Sequence, residues 1–267
     1  PGGRYKAINK HKVRIKGSPD KSTDTITTLN GTNIKPLTFD GLYVEGSGRA
    51  AWATGNKPEE GPFYVNWVGC HIDGLFNHAA NEGLDSKWGF ITHRWAGGVF
   101  DTLIENIHDE HGIYSHTPMS NIYVRDSHIR RCGRTAIQNV GRIDEGGHSP
   151  YTISIVNTLV EDCGLKDGGG HLTLGGIDAV ILNRVTQRIG FDLEFFKAYM
   201  ASHPGVDIFG RGCIVNWSDS QRNMPTKLFD MHDCDFRASP ACGQSPLVDI
   251  NNSELIRLSG KLILGTG

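Results

Sequence analysis

Twelve histidines are spread along the 267 residues, and several fall where strand alternation would aim them at solvent. Imidazole titrates near neutral pH, so histidines in an outward row suit proton transfer. After Gly112 the run Ile113, Tyr114, Ser115, His116 alternates in character. With Ile113 inside, Tyr114 and His116 face outward. The same alternation puts Gln138 outside if Ile137 is inside. It puts His171 and Thr173 outside if Leu172 and Leu174 are inside, and Asp192 and Glu194 outside if Leu193 is inside. Parallel strands lie ~4.8 Å apart, so strands stacked on successive turns would bring Tyr114, His116, Gln138, His171 and Glu194 into one polar ladder. His93 and Arg94 should lie near its end. Outward residues on such a surface must be polar in any case, so the ladder is a candidate site and not yet a mechanism.

A ladder of this kind needs a coil of short parallel strands beneath it, and the sequence has the marks of one. Thirty-four glycines are scattered singly among many Val, Ile and Asn residues, as short strands joined by tight turns require. Segments starting at Phe63, Phe100, Asn121, Thr152 and Ile177 share one pattern: an alternating strand, a polar break, an apolar pair, then Gly and a second strand. Ile122 and Val124 point one way while Tyr123 and Arg125 point the other. Asp73-Gly74 reads as recurring in register with His111-Gly112, which is repeat behaviour and not a set of hairpin turns. Gly112, Gly133, Gly164 and Gly190 suggest a repeat of roughly 20 to 30 residues, the excess over one bare turn being loop. Cys132 and Cys163 each precede such a glycine and are expected to stack inside. Helical spacing is nearly absent, the best candidate being Phe191 to Met200. The expected fold is all-β: a single-stranded right-handed parallel β-helix filling one domain over residues 1–267. Loop insertions are expected on one side, at about 45–62, 79–98, 141–150, 191–204 and 217–226.

Composition excludes several classes. The formal net charge is −2, so no basic excess points to nucleic acid. No stretch approaches the ~20 apolar residues of a membrane span. Six cysteines without a C-x-x-C pair disfavour structural zinc. They read as buried core thiols, with a Cys234–Cys242 pair as the alternative. His108 to His111 (HDEH) lacks the H-E-x-x-H spacing and reads as a solvated corner. No metal site is assigned. Calcium is chemically reasonable on loop acids such as Asp144 and Glu145 or Glu59 and Glu60, because calcium takes oxygen ligands.

HGIYSHT at His111 to Thr117, followed by SNIYVRDSHIRRCGRTAIQNV, resembles the pectate-lyase-like superfamily of right-handed parallel β-helix proteins. The opening PGGRY is similar to a step that leads into the first strand in that group. The resemblance spans about Val13 to Leu264 and concerns the fold. The paired-Asp and Gly-His-Gly motifs of the polygalacturonase-type hydrolases and the vWiDH-type motif of pectate lyases are absent, so no catalytic residue carries over by position. What the resemblance implies is a polysaccharide partner in a side groove, outside the cell, at its surface or on a virion.

On that expectation the candidate residues take roles. A lyase acting on a uronic acid needs a base, an acid and a cation for the carboxylate. His116 or His171 would be the base, Tyr114 the acid, and Arg94 or Arg134 the neutraliser. Trp88 and Trp95, read as loop residues, would stack on sugar rings, and His93, Gln138, Arg134 and Glu194 would hold the chain. Trp67 reads as core. A hydrolase would need two carboxylates ~5 Å or ~6.5–9.5 Å apart, and few acids fall on the ladder. The rivals are a non-catalytic polysaccharide-binding or adhesin module and a trimeric tailspike-type segment, so the expected state is monomer or homotrimer.

Overall fold

The computed structural model describes residues 3–28, 36–54, 63–116, 121–140, 151–166, 171–205, 215–216, 225–240, 248–250 and 252–266, with backbone alone at His116, Val140, Val215, Asn216 and Thr266. Short alternating segments pair with the segment one turn later in the chain, and every such pair is parallel. Three sheets result. Sheet 1 runs from Gly3–Lys6 to Ser253–Ser259 in nine strands, sheet 2 from Arg14–Ile15 to Ile263–Thr266 in nine, and sheet 3 from Asp24–Thr28 to Asp249–Ile250 in eight. The chain visits them in the order 1, 2, 3 on each turn, which makes a parallel β-solenoid. Among the described residues there is one helix, Leu193–Ser202, here α1.

Register is held by inward rows. In sheet 2 the row is Ile15, Val44, Ile72, Ile104, Ile129, Val160, Gln187, Phe236 and Leu264. A slip of one residue would turn such a row to solvent, so burial fixes the pairing. The core is aromatic toward the N-terminal turns. Phe39 and Trp67 stack at 4.4 Å, and Trp52 meets Phe90 edge-on at 5.0 Å. Later turns replace these rings with Ile, Val and Leu. Aromatic contacts of this kind add ~0.5–1.5 kcal/mol each beyond burial.

The three corners differ. Seven of the nine passages from sheet 1 to sheet 2 take two residues. In those seven the first residue has a left-handed backbone: Gly41, Gly69, Asp101, Asp126, Asn157, Arg184 and Asp233. Asp and Asn tolerate that conformation better than most residues, which explains their recurrence. Asn157 also donates its amide to Asp126 Oδ1 at 2.7 Å on the turn before. The corners on either side of sheet 3 are uneven. The passage from sheet 2 to sheet 3 holds an antiparallel pair, Phe76–Asn77 with Glu82–Gly83, and later α1. Residues 55–62, 141–150 and 217–224, among the expected loops, lie outside the described residues; in chain order each comes between a sheet 3 strand and the next sheet 1 strand.

Several sequence expectations are corrected here. Residues 79–98 are not a loop: Trp88–His93 is a strand of sheet 3 and Trp95–Phe100 a strand of sheet 1. Arg94 alone joins them, with a left-handed backbone (φ 53°) that resets the alternation and turns Trp95 inward. Trp52 likewise lies in a strand, Ala50–Thr54, and is fully buried. Gly74 corresponds to Gly46 and Asn106 on neighbouring turns, whereas Gly112 corresponds to Gly89. Register-equivalent residues in sheet 2 (Arg14, Tyr43, His71, Leu103, His128, Leu159) recur every 25 to 32 residues.

Cys70, Cys132, Cys163 and Cys234 are buried free thiols, so Cys234 does not pair with Cys242. Cys213 and Cys242 lie outside the described residues. Burial, and then the adjoining Cys132 thiol, pushes Cys163 well above the usual thiol range, as the expected internal stack requires.

Candidate functional site

The outer face of sheet 3 keeps part of the expected ladder. Ile91, Tyr114, Gln138 and Thr173 are register partners in one outward row. Two residues further along, His93 and His116 are backbone register partners. Arg94 follows His93 at the corner. The inward row between them is polar: Thr92, Ser115 and Asn139 are all buried. Asn139 accepts the Tyr151 hydroxyl at 3.0 Å and Thr92 donates to the Tyr114 carbonyl at 3.1 Å, which fixes the strands under the outward residues.

At the edge facing sheet 2, a tighter cluster forms around His111. Trp88, His111 and Thr135 occupy one register position on three successive turns, at or just before the start of their sheet 3 strands. Thr135 Oγ1 lies 2.6 Å from His111 Nδ1, and His111 Nε2 lies 3.5 Å from Glu110 Oε2. One tautomer serves both contacts: the hydroxyl donates to Nδ1 and the Nε2–H faces the carboxylate. Tyr114 stacks on the His111 ring at 5.4 Å, and Arg134 donates to Glu110 Oε2 at 3.1 Å. Burial, with the Arg134 charge beside it, lowers His111 to about 3, so the ring is neutral near pH 7. HDEH is therefore no solvated corner: His111 is buried, and His108 bonds Asp85 through Nδ1. The missed signal was position, because His111 immediately precedes a repeat glycine and that register position faces its neighbours.

Two expected ladder residues, His171 and Glu194, and one expected stacking residue, Trp95, lie elsewhere. His171 is fully buried, because the residue before each sheet 3 strand sits inside the corner, where Gly89, Gly112 and Ala136 are its equivalents. Neither ring nitrogen of His171 has a hydrogen-bond partner among the described residues. Burial outweighs the nearby Gln187 amide and lowers it to about 4. Trp95 is core and donates its indole N–H to the Val65 carbonyl at 2.9 Å. Glu194 lies on α1, its side chain 93% exposed, and faces Lys197 at 3.9 Å. Asp192 caps that helix by accepting from the Phe195 N–H at 3.1 Å, so helix capping won over strand alternation there. Trp88 is a half-buried strand residue and not a loop residue.

Sheet 2 carries a second charged surface that was not anticipated. Its outward residues pair diagonally from one turn to the next. Arg14 reaches Glu45. Tyr43 donates to Asp73 at 2.8 Å, His71 Nε2 meets Glu105 Oε1 at 2.7 Å, and His128 Nε2 meets Glu161 Oε2 at 2.6 Å. Arg130 Nε also donates to Glu105 at 2.7 Å. Burial alone would raise Glu105, but His71 and Arg130 outweigh it and hold it down to about 2. His71, Asp73 and Glu105 bring potential metal-ligand atoms within 4.8 Å of one another. Each carboxylate is already engaged, Asp73 by Tyr43, Asn106 and the Leu75 N–H, and Arg130 supplies the local positive charge. A cation would have to displace these donors, so the chemistry is that of an ion-pair network. The acids considered for calcium, Glu59, Glu60, Asp144 and Glu145, lie outside the described residues.

No protein-family model matches this chain, and no curated protein or solved structure matches it either. Among the described residues no helix is long and apolar enough to cross a membrane.

Proposed function

We propose that the outer face of sheet 3 binds an acidic polysaccharide and cleaves it by β-elimination. The observation that carries this is the placing of the insertions. The corners flanking sheet 3 receive the inserted hairpin, the helix and the longest connecting segments, while the corner between sheets 1 and 2 stays at two residues almost throughout. Loops built on a rigid scaffold are where binding residues concentrate. In this reading the coil is a right-handed one of the pectate-lyase-like superfamily, acting outside the cell.

The lane between those corners has the residue types that elimination needs. His116, opposite His93, takes the proton from C5 of a uronic acid residue. The C4–C5 double bond forms as the C4–O bond breaks, and Tyr114 gives its proton to the departing oxygen. Arg134 meets the substrate carboxylate, in exchange for part of its contact with Glu110. Neutralising that carboxylate is what makes the C5 proton removable. Trp88 and Gln138 hold the neighbouring sugars, and Arg94 closes the far edge. Hydrolysis fits less well, because Glu110, the carboxylate beside His111 and Tyr114, is tied to Arg134 and His111.

The test is incubation with a panel of uronate-containing and neutral polysaccharides, following ultraviolet absorbance of the new double bond together with reducing ends. The proposal expects both signals to rise in parallel on a uronate polymer. Reducing ends without absorbance would replace elimination with hydrolysis. Retention of the polymer without either signal would leave a binding module.

A further inference from the structure

We propose that a second site, outside the sheet 3 lane, binds a small ring-bearing carboxylate such as a monosaccharide acid, in the cavity between the inserted hairpin and α1. This cavity measures about 540 Å³ and is lined by Phe76, His78 and Asn81 from the hairpin segment, by His108 and Lys166 from later corners, and by Tyr199 and His203 from the helix and its C-terminal end. That volume lies within the ~300–1,000 Å³ of small-molecule sites. It shares no residue with the lane, although His108 and His111 come from one corner.

Three features select the ligand. The walls are flat ring pairs: Phe76 stacks on His108 at 3.7 Å and Tyr199 on His203 at 4.3 Å. His78 stands 4.9 Å from Phe76, edge-on, and 6.3 Å from Tyr199, so the cavity has aromatic rings on both sides. The polar groups on the described lining are an ammonium, three imidazoles, a carboxamide and a phenol, with no carboxylate among them. Asp85 bonds His108 and Lys21, and Asp109 bonds Lys166. An anion in the cavity would therefore share Lys166 with Asp109 and meet imidazole and carboxamide groups and no lining carboxylate.

The third feature is that the wall is set in advance. The helix is fastened over the cavity independently of any ligand. Arg131 pairs with Asp192 at 2.8 Å and lies over the Phe195 ring at 4.4 Å, and the Tyr199 hydroxyl donates to the Leu165 carbonyl at 2.9 Å. The site is thus already formed without a ligand, with little ordering left to be done on binding.

The experiment is calorimetric titration of the intact protein with D-galacturonate, with neutral D-galactose, and with a uronate tetramer. Saturable binding of galacturonate, at least tenfold tighter than galactose, is expected. Tighter binding of the monomer than of the tetramer assigns the pocket to free sugar acids, and the reverse assigns it to a chain end. Lys166→Met and His203→Ala should each weaken galacturonate binding by tenfold or more with the circular dichroism spectrum retained. Tyr114→Phe should leave this affinity unchanged, which separates the cavity from the lane. Absence of saturable heat, equal affinity for galactose, or unchanged affinity in both His203→Ala and Lys166→Met would overturn the proposal.

Discussion

Sheets 2 and 3 present two polar faces on the same coil, and they are built on opposite plans. Sheet 2 has the denser charge, yet its acids and bases are matched across neighbouring turns: Arg14 with Glu45, His71 and Arg130 with Glu105, His128 with Glu161, Arg188 with Asp235. One of its flanks is the two-residue corner, which raises no wall. Sheet 3 has fewer charges, but both its flanks carry insertions, and its lane mixes Tyr, His, Gln and Arg. What distinguishes a candidate site on a solenoid is therefore not charge density. It is a mixed polar lane between corners that carry insertions.

The sharpest way to break this contrast is to remove one group from each face. Tyr114→Phe and His116→Ala should each lower cleavage of a uronate polymer by about 100-fold or more, the usual scale for an acid or base, with the melting temperature held. Glu105→Gln should do the reverse. It removes a half-buried partner of His71 and Arg130, so urea unfolding should show a loss of about 1–3 kcal/mol while cleavage stays within twofold. A loss of activity in Glu105→Gln with unchanged stability would move the site to sheet 2.

Acid should act on the two kinds of group in separate pH windows. His78 and His111 are lowered to about 3 and His171 to about 4, chiefly by burial. Groups held neutral in the fold contribute stability that is full above the unfolded pKa near 6.5 and falls as pH drops from there toward 3. Each unit of depression corresponds to about 1.4 kcal/mol. The lowered carboxylates, Glu105 and Glu161 among them, give stability that is present above their unfolded values near 4.5 and lost only below. A melting curve followed from pH 7 to 3 should thus begin to fall before Glu105 and Glu161 titrate, with Asp162, which burial raises to about 6, working the other way as it takes up its proton. A flat response between pH 6.5 and 5 would contradict this.

The smallest effects belong to residues the sequence alone would have placed in the site. His171→Leu should abolish neither folding nor cleavage. It replaces a fully buried ring, without hydrogen-bond partners among the described residues, by an apolar side chain of similar size, and should change stability by about 1 kcal/mol or less, or raise it. Glu194→Ala, on the exposed face of α1, should change both stability and cleavage by amounts near experimental error.

His171 and Trp95 show why part of the site was hidden in the sequence. The inward rows Ile122/Val124, Ile153/Ile155 and Val180/Leu182 were legible because period 2 holds within a strand. Counting that period across a corner failed. His171 stands one residue before its strand, where the corner faces inward. Arg94, by a single left-handed residue, shifts the phase so that Trp95 joins the core. The helix was legible in outline from Phe191 to Met200, and its cap at Asp192 explains why Glu194 cannot share a row with Gln138. The sheet 2 pairs were invisible because each joins residues about thirty positions apart, and only the register brings them together. Tyr114 with Gln138 survived because both are true strand residues in register.

The claim that function lies on sheet 3 can be read directly by hydrogen–deuterium exchange with and without a uronate oligosaccharide. The account predicts added protection at residues 111–116 and 136–140 and none at 103–107 or 128–132. Protection confined to 103–107 and 128–132, with 111–116 unchanged, would contradict it.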